Sequence, residues 1–231
     1  MKTIGIIGGM SWESTQLYYQ QINQLIKTEL GGLHSAKLVL FSVDFAEIAA
    51  LQQQGDWYQA GFILAEAAKS LEMAGADFIV IATNTMHKVA DQVMANINLP
   101  LLHIADATAK QLQQANITKV GLLGTAFTME QDFYKGRLAD RFDIDVVTPN
   151  ATQRAMIHKV IFEQLCLGQF SAQAKADFLA VMADLREQGA QGIILGCTEI
   201  ALLVNQSDME LPLFDTTAIH CEAIVELALL A

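Results

Sequence analysis

The chain has 231 residues, of which 52% are apolar and 17% charged, with 25 acidic against 14 basic side chains and a formal charge of −11. That is enough apolar material for a substantial core and excludes a disordered polymer. The negative field repels phosphate backbones and argues against a nucleic-acid partner. A small anionic ligand stays compatible, because donors in a water-excluded cleft outweigh distant surface charge.

The first nine residues, Met1 to Gly9, are too short for the apolar region of a signal peptide and read as a first strand. No window approaches the ~18 uninterrupted apolar residues of a membrane span. The three cysteines, Cys166, Cys197 and Cys221, are few, odd in number and far apart. Reduced thiols and a cytoplasmic location are expected.

In chain order, a buried strand at 3–8 ends on a glycine turn and is followed by apolar residues at helical spacing from Ser14 to Leu30. A strand at 36–42, a helix from Trp57 to Ala74, a strand at 75–83 and a helix from Met86 to Ala95 come next. Leu99–His103 is a short strand, and 119–124 repeats the apolar-glycine pattern of the first. Helical spacing returns over Met129–Phe142, with Thr128 and Gln131 as a capping box. A strand at 143–147, helices over Gln153–Leu167 and Ala172–Gln188, and strands at 189–197 and 211–215 complete the pattern.

The chain repeats itself. Thr3-Ile4-Gly5-Ile6-Ile7-Gly8 matches Lys119-Val120-Gly121-Leu122-Leu123-Gly124, with Gly5 and Gly121 116 positions apart. The run from Gly75 to Thr83 matches that from Gly189 to Cys197 at 114, and Leu99-Pro100-Leu101 matches Leu211-Pro212-Leu213 at 112. Three matches in order at a nearly constant offset indicate two homologous halves. The expected class is α/β: two pseudo-symmetric doubly wound domains, each with a mainly parallel sheet, and an active site in the cleft between them. The expected domains are 1–98 plus 213–231, and 99–212.

Ligands in such sheets bind beyond the carboxyl ends of the strands. The repeat places four loops there: Gly8 to Ser11, Gly124 to Phe127, Thr83 to Thr85, and Cys197 to Glu199. If the halves face each other, Thr83 and Cys197 come from opposite sides of one cleft, as a two-base racemase requires. Cys197 follows a strand and opens a helix, whose N-terminus is expected to lower the thiol pKa. Cys166 and Cys221 lie inside helical patterns and read as core cysteines. Ser11, Asn84, Thr85, Thr125 and Thr198 are each explained as helix caps, but together they and their amides form a carboxylate cradle. Gln52 and Lys159 can reach the cleft or lie solvated on helices. The early glycines follow G-x-x-G-G rather than a dinucleotide pattern, and no phosphate-loop lysine follows. The five histidines, His34, His87, His103, His158 and His220, lack metal-ligand spacing, so no metal is expected.

M-K-T-I-G-I-I-G-G-M-S at the start, T-N-T-x-H at 83–87 and G-C-T-E at 196–199 resemble the aspartate/glutamate racemase family, and the resemblance spans the whole chain. It implies two similar α/β domains, a homodimer, no cofactor, and an acidic amino acid held between two cysteines. By position Cys197 takes the role at the L face. Asn84, Thr85 and Thr198 inherit contacts to the α-carboxylate and amino group. Met10 and Thr125, with Gln52 and Lys159, inherit the side-chain carboxylate.

One residue departs from that pattern. The first motif, usually C-N-T, is Thr83-Asn84-Thr85 here. A threonine hydroxyl can hand a proton to a carbanion but is a poor base. The expectation is therefore racemisation of aspartate and/or glutamate favouring the L-enantiomer as substrate, with Cys197 abstracting the Cα proton and Thr83 supplying one. The alternatives are a single-thiol decarboxylase of the same superfamily and a non-catalytic amino-acid binding protein.

Overall fold

The computed structural model describes residues 1–230. Its first strand, β1 (Ile4–Gly8), is completely buried. Gly9 follows at φ +92°, where a Cβ would collide with the Val43 carbonyl, so the turn needs glycine for both conformation and space. Ser11 Oγ then accepts the Ser14 amide at 3.3 Å and caps α1 (Trp12–Leu30). The chain continues through β2 (Leu38–Ser42), α2 (Phe45–Gln54), α3 (Trp57–Met73), β3 (Phe78–Ile81), a 3-10 turn over Thr85–Val89, and α4 (Ala90–Met94).

These strands form one parallel sheet in the order β2-β1-β3. Side chains alternate between its faces. Ile4, Ile6, Phe78 and Val80 pack with Tyr18, Ile22 and Ile26 of α1. Ile7, Ile79 and Ile81 pack with Leu64 and Leu71 of α3. Burial on both faces is why the central strands read as unbroken apolar runs.

The second set is α5 (Ile104–Gln114), β4 (Lys119–Gly124), α6 (Ala126–Glu130), α7 (Asp132–Phe142), β5 (Asp145–Val147) and α8 (Ala151–Glu163). A 3-10 turn over Leu165–Leu167, α9 (Ala172–Glu187), β6 (Ile193–Gly196), α10 (Ile200–Leu203), a 3-10 turn over Gln206–Asp208, β7 (Leu213–Asp215) and α11 (Thr216–Leu229) complete it. The sheet is parallel, ordered β5-β4-β6-β7. Leu123, Ile193 and Leu195 pack with Ile157 and Ile161 of α8 and Phe178, Met182 and Leu185 of α9. Among the described residues no helix is long and apolar enough to cross a membrane.

The chain divides into two units, Met1–Ile104 with the tail from His220, and Ala105–Ile219. Both crossings lie a few residues beyond those expected from the sequence. Leu99–His103 stays with the first unit because Leu101 bridges in parallel to Ile79, with Ile79 N–H donating to Pro100 O (2.9 Å) and Leu102 N–H to Ile79 O (3.0 Å). Residues 213–215 stay with the second unit because β7 pairs with β6. Each Leu-Pro-Leu segment therefore closes its own half.

Local differences have local causes. The helix expected over Met129–Phe142 is two, broken at Gln131 in an extended conformation (φ −93°, ψ 154°). The expected Thr128–Gln131 capping box is absent: Thr125 caps α6 by accepting the Thr128 amide, and Gln131 makes no side-chain cap to α7. Two helices escaped the sequence reading. The signals available were Asp44 before and Gly55 after α2, and apolar positions 104, 105, 109 and 112 in α5.

Candidate active site

In the first unit, β1 and β3 lie in register, Ile7 beside Ile81, so their following loops leave the sheet side by side. Thr83 sits half-buried in the bend after β3. Asn84 and Thr85 are buried next to it. Met10 is buried in the cluster that also holds Met86. Gln52, on α2, is buried and donates from Nε2 to Met86 Sδ at 3.1 Å. Met10, Gln52, Thr83, Asn84 and Thr85 thus belong to one neighbourhood, with Gln52 steadying the 83–87 segment through Met86.

In the second unit, Gly124 and Gly196 are register partners, so Thr125 and Cys197 leave neighbouring strand ends. Thr125 is buried, its hydroxyl 3.2 Å from that of Thr128. The next amide, Ala126 N–H, donates to His158 Nδ1 at 3.2 Å, and burial holds that imidazole's pKa below its ordinary value despite the opposing effect of Glu130. Thr198 is buried and accepts from the Thr217 hydroxyl at 3.5 Å. Lys159, on α8 beside His158, has a side chain 69% exposed, and its Nζ lies 3.8 Å from Glu163 Oε2.

Cys197 is half-buried, and its thiol donates to Glu199 Oε2 at 2.9 Å. The other oxygen of the same carboxylate, Oε1, accepts from Cys166 Sγ at 3.8 Å. Burial first, then the Glu199 charge and the Cys166 sulfur, push the Cys197 thiol well above its ordinary range. This corrects the expectation of a thiol made acidic by a helix N-terminus. α10 has four residues and begins only at Ile200, so its dipole is small, while a carboxylate stands against the sulfur. The thiol thus stands with its pKa raised and a carboxylate in hydrogen-bond contact.

Glu199 and the role of Cys166 were missed in the sequence. Glu199 stood within G-C-T-E, in the loop Cys197 to Glu199, but no role was assigned to it. Cys166 reaches the carboxylate only because the turn after α8 brings it there. Cys221 is fully buried in the core, as expected. Among the described residues no group of three or more His, Cys, Asp or Glu side chains is placed to hold a metal ion.

A family model for Asp/Glu/hydantoin racemases matches residues 7–224. The chain belongs to that family. It is 56% identical to a Yersinia pestis protein named only provisionally as an Asp/Glu racemase, with a TM-score of 0.94 and 100% of each chain covered. It is 36% identical to PH1733, an aspartate racemase homologue from Pyrococcus horikoshii, with a TM-score of 0.86 and 99% of each chain covered. It is also 24% identical to the broad-specificity amino-acid racemase RacX of Bacillus subtilis, over 96% of both chains.

Proposed function

We propose that this family member racemises an acidic amino acid, aspartate or glutamate, without a cofactor, through the Cys197–Glu199 pair and Thr83. The observation that carries this is the Cys197 thiol at the end of β6, hydrogen-bonded to the Glu199 carboxylate. The family membership and the likeness to an aspartate racemase homologue support the substrate class.

With an L-substrate, Glu199 takes the Sγ proton and the resulting thiolate removes the Cα proton. Thr83 gives its hydroxyl proton to the carbanion on the opposite face. Water then returns a proton to Thr83 as Glu199 releases one, so the cycle is neutral in protons. Asn84, Thr85 and Thr198 hold the α-carboxylate and ammonium group. Met10 and Thr125 border the side-chain carboxylate, with Gln52 acting through Met86.

Chiral chromatography of L- and D-aspartate and L- and D-glutamate after incubation with the protein tests this. Interconversion of the enantiomers of at least one is expected. Absence of interconversion for both overturns the proposal.

A further inference from the structure

The motif T-N-T-x-H ends on His87, a residue the mechanism above does not use. We infer that His87 is a positioning residue for Thr83, acting as a neutral imidazole that ties the Thr83 backbone to the start of α5. The inference rests on the proposed role of Thr83.

His87 is 3% exposed. Its Nδ1 lies 2.8 Å from the Thr83 carbonyl oxygen, and its Nε2 lies 3.2 Å from the Ile104 amide nitrogen. A carbonyl only accepts and an amide N–H only donates. The two contacts together therefore define one tautomer, with the proton on Nδ1 and a lone pair on Nε2. A second proton would leave the Ile104 N–H facing a donor. Ile104 is the first residue of α5, and its amide is one of those a helix cannot satisfy internally. His87 serves both needs: it completes the α5 N-terminus and fixes the bend that carries Thr83.

The surroundings hold this ring in place. His103 packs on it with centroids 4.4 Å apart, and His220 meets it edge-on at 6.1 Å. His220 donates from Nε2 to Leu102 O (3.0 Å) and accepts the Tyr18 hydroxyl on Nδ1 (2.9 Å). Residues 102 and 104 are thus each bonded to an imidazole, in a segment already paired to Ile79 of β3. Thr83 leaves the same strand. Its carbonyl is therefore referenced to a rigid frame rather than to a free loop, and a shift of about 1 Å in a reacting group costs up to about a hundredfold in rate.

The chain supplies a conservative replacement. Asn23 and Asn96 each donate from Nδ2 to the carbonyl four residues earlier at 2.8 Å, the same i to i−4 relation as His87 to Thr83. His87→Asn should keep the bond to Thr83, whereas His87→Leu removes it. Wild type, His87→Asn and His87→Leu are compared for conversion of L-aspartate and L-glutamate to the D-forms, with melting temperatures measured alongside. For the better substrate, His87→Leu should lose about tenfold to a hundredfold in kcat with KM within about threefold. His87→Asn should stay within about threefold of wild-type kcat. If His87→Leu does not fold, His87→Gln takes its place with the same expected loss, since its longer amide does not reproduce the Nδ1 position. Full kcat in the Leu or Gln variant, or equal losses in Asn and Leu variants of equal melting temperature, overturns the inference alone. A wild-type protein that racemises neither substrate overturns the proposed function and this inference with it.

Discussion

Replacing Glu199 by glutamine separates the pair mechanism from a lone cysteine. In water, moving a proton from an ordinary thiol to an ordinary carboxylate costs about 6 kcal/mol. Two negative charges at the observed 2.9 Å would repel by about 6 kcal/mol at an effective dielectric of about 20. In the proposed pair the proton rests on the Cys197 sulfur, whose pKa burial and the Glu199 carboxylate raise. A turnover of about 10 per second allows a barrier of about 16 kcal/mol, so relocating that proton fits within the catalytic step. In Glu199→Gln the acceptor is gone, and the thiolate forms only by losing its proton to solvent. The negative charge that raised the thiol is also gone, so its pKa falls relative to wild type. At neutral pH kcat on the L-substrate should drop by about a hundredfold, and the residual rate should climb steeply with pH where wild type is flatter. Alkylation of Cys197 by iodoacetamide should set in at lower pH in the variant. Kinetics from about pH 6 to about pH 9 read both effects. Wild-type kcat with an unchanged pH profile in Glu199→Gln would refute the pair.

Cys197→Ser should lose about a hundredfold or more, whereas Cys221→Ser, in the apolar core, should change melting temperature rather than kcat. Cys166→Ala should fall between them, because its sulfur touches the Glu199 carboxylate. Thr83→Cys should raise the rate on D-substrates by about ten- to a hundredfold and change the L-side less; in wild type the faster L-side must be balanced by a matching difference in KM, since the equilibrium of a racemisation is fixed. Burial lowers the His220 pKa to about 4 in the folded protein, so its contribution to stability is complete above the unfolded value near 6.5 and is lost as pH falls toward 4. Chemical denaturation across that window should show up to about 3 kcal/mol of this loss in wild type, and a shallower slope in His220→Gln.

What the sequence showed and what it hid follow from the range of the forces involved. Strand periodicity and the internal repeat are local or pairwise patterns, and they placed Thr83 and Cys197 at strand ends next to Met10 and Thr125. The acidity of Cys197 depended on a balance that spacing cannot weigh, a short helix dipole against a carboxylate in contact and burial. The Tyr18–His220 contact joins residues 202 positions apart, and Cys166 and Glu199 are 33 apart. Neither has a periodic signature. The capping box at Thr128 was misread because Thr125 offers the same chemistry three residues earlier, and an extended Gln131 then restarts the helix.

The most direct measurement is the fate of the Cα proton. L-aspartate and L-glutamate are incubated with the protein in D2O, the enantiomers are separated, and each is analysed for deuterium at Cα while released carbon dioxide is monitored. The D-enantiomer of at least one substrate should accumulate carrying solvent deuterium at Cα, with no carbon dioxide. Unlabelled L-amino acid alone would indicate a binding protein, and carbon dioxide release would indicate a decarboxylase; either result contradicts racemisation by Cys197 and Thr83.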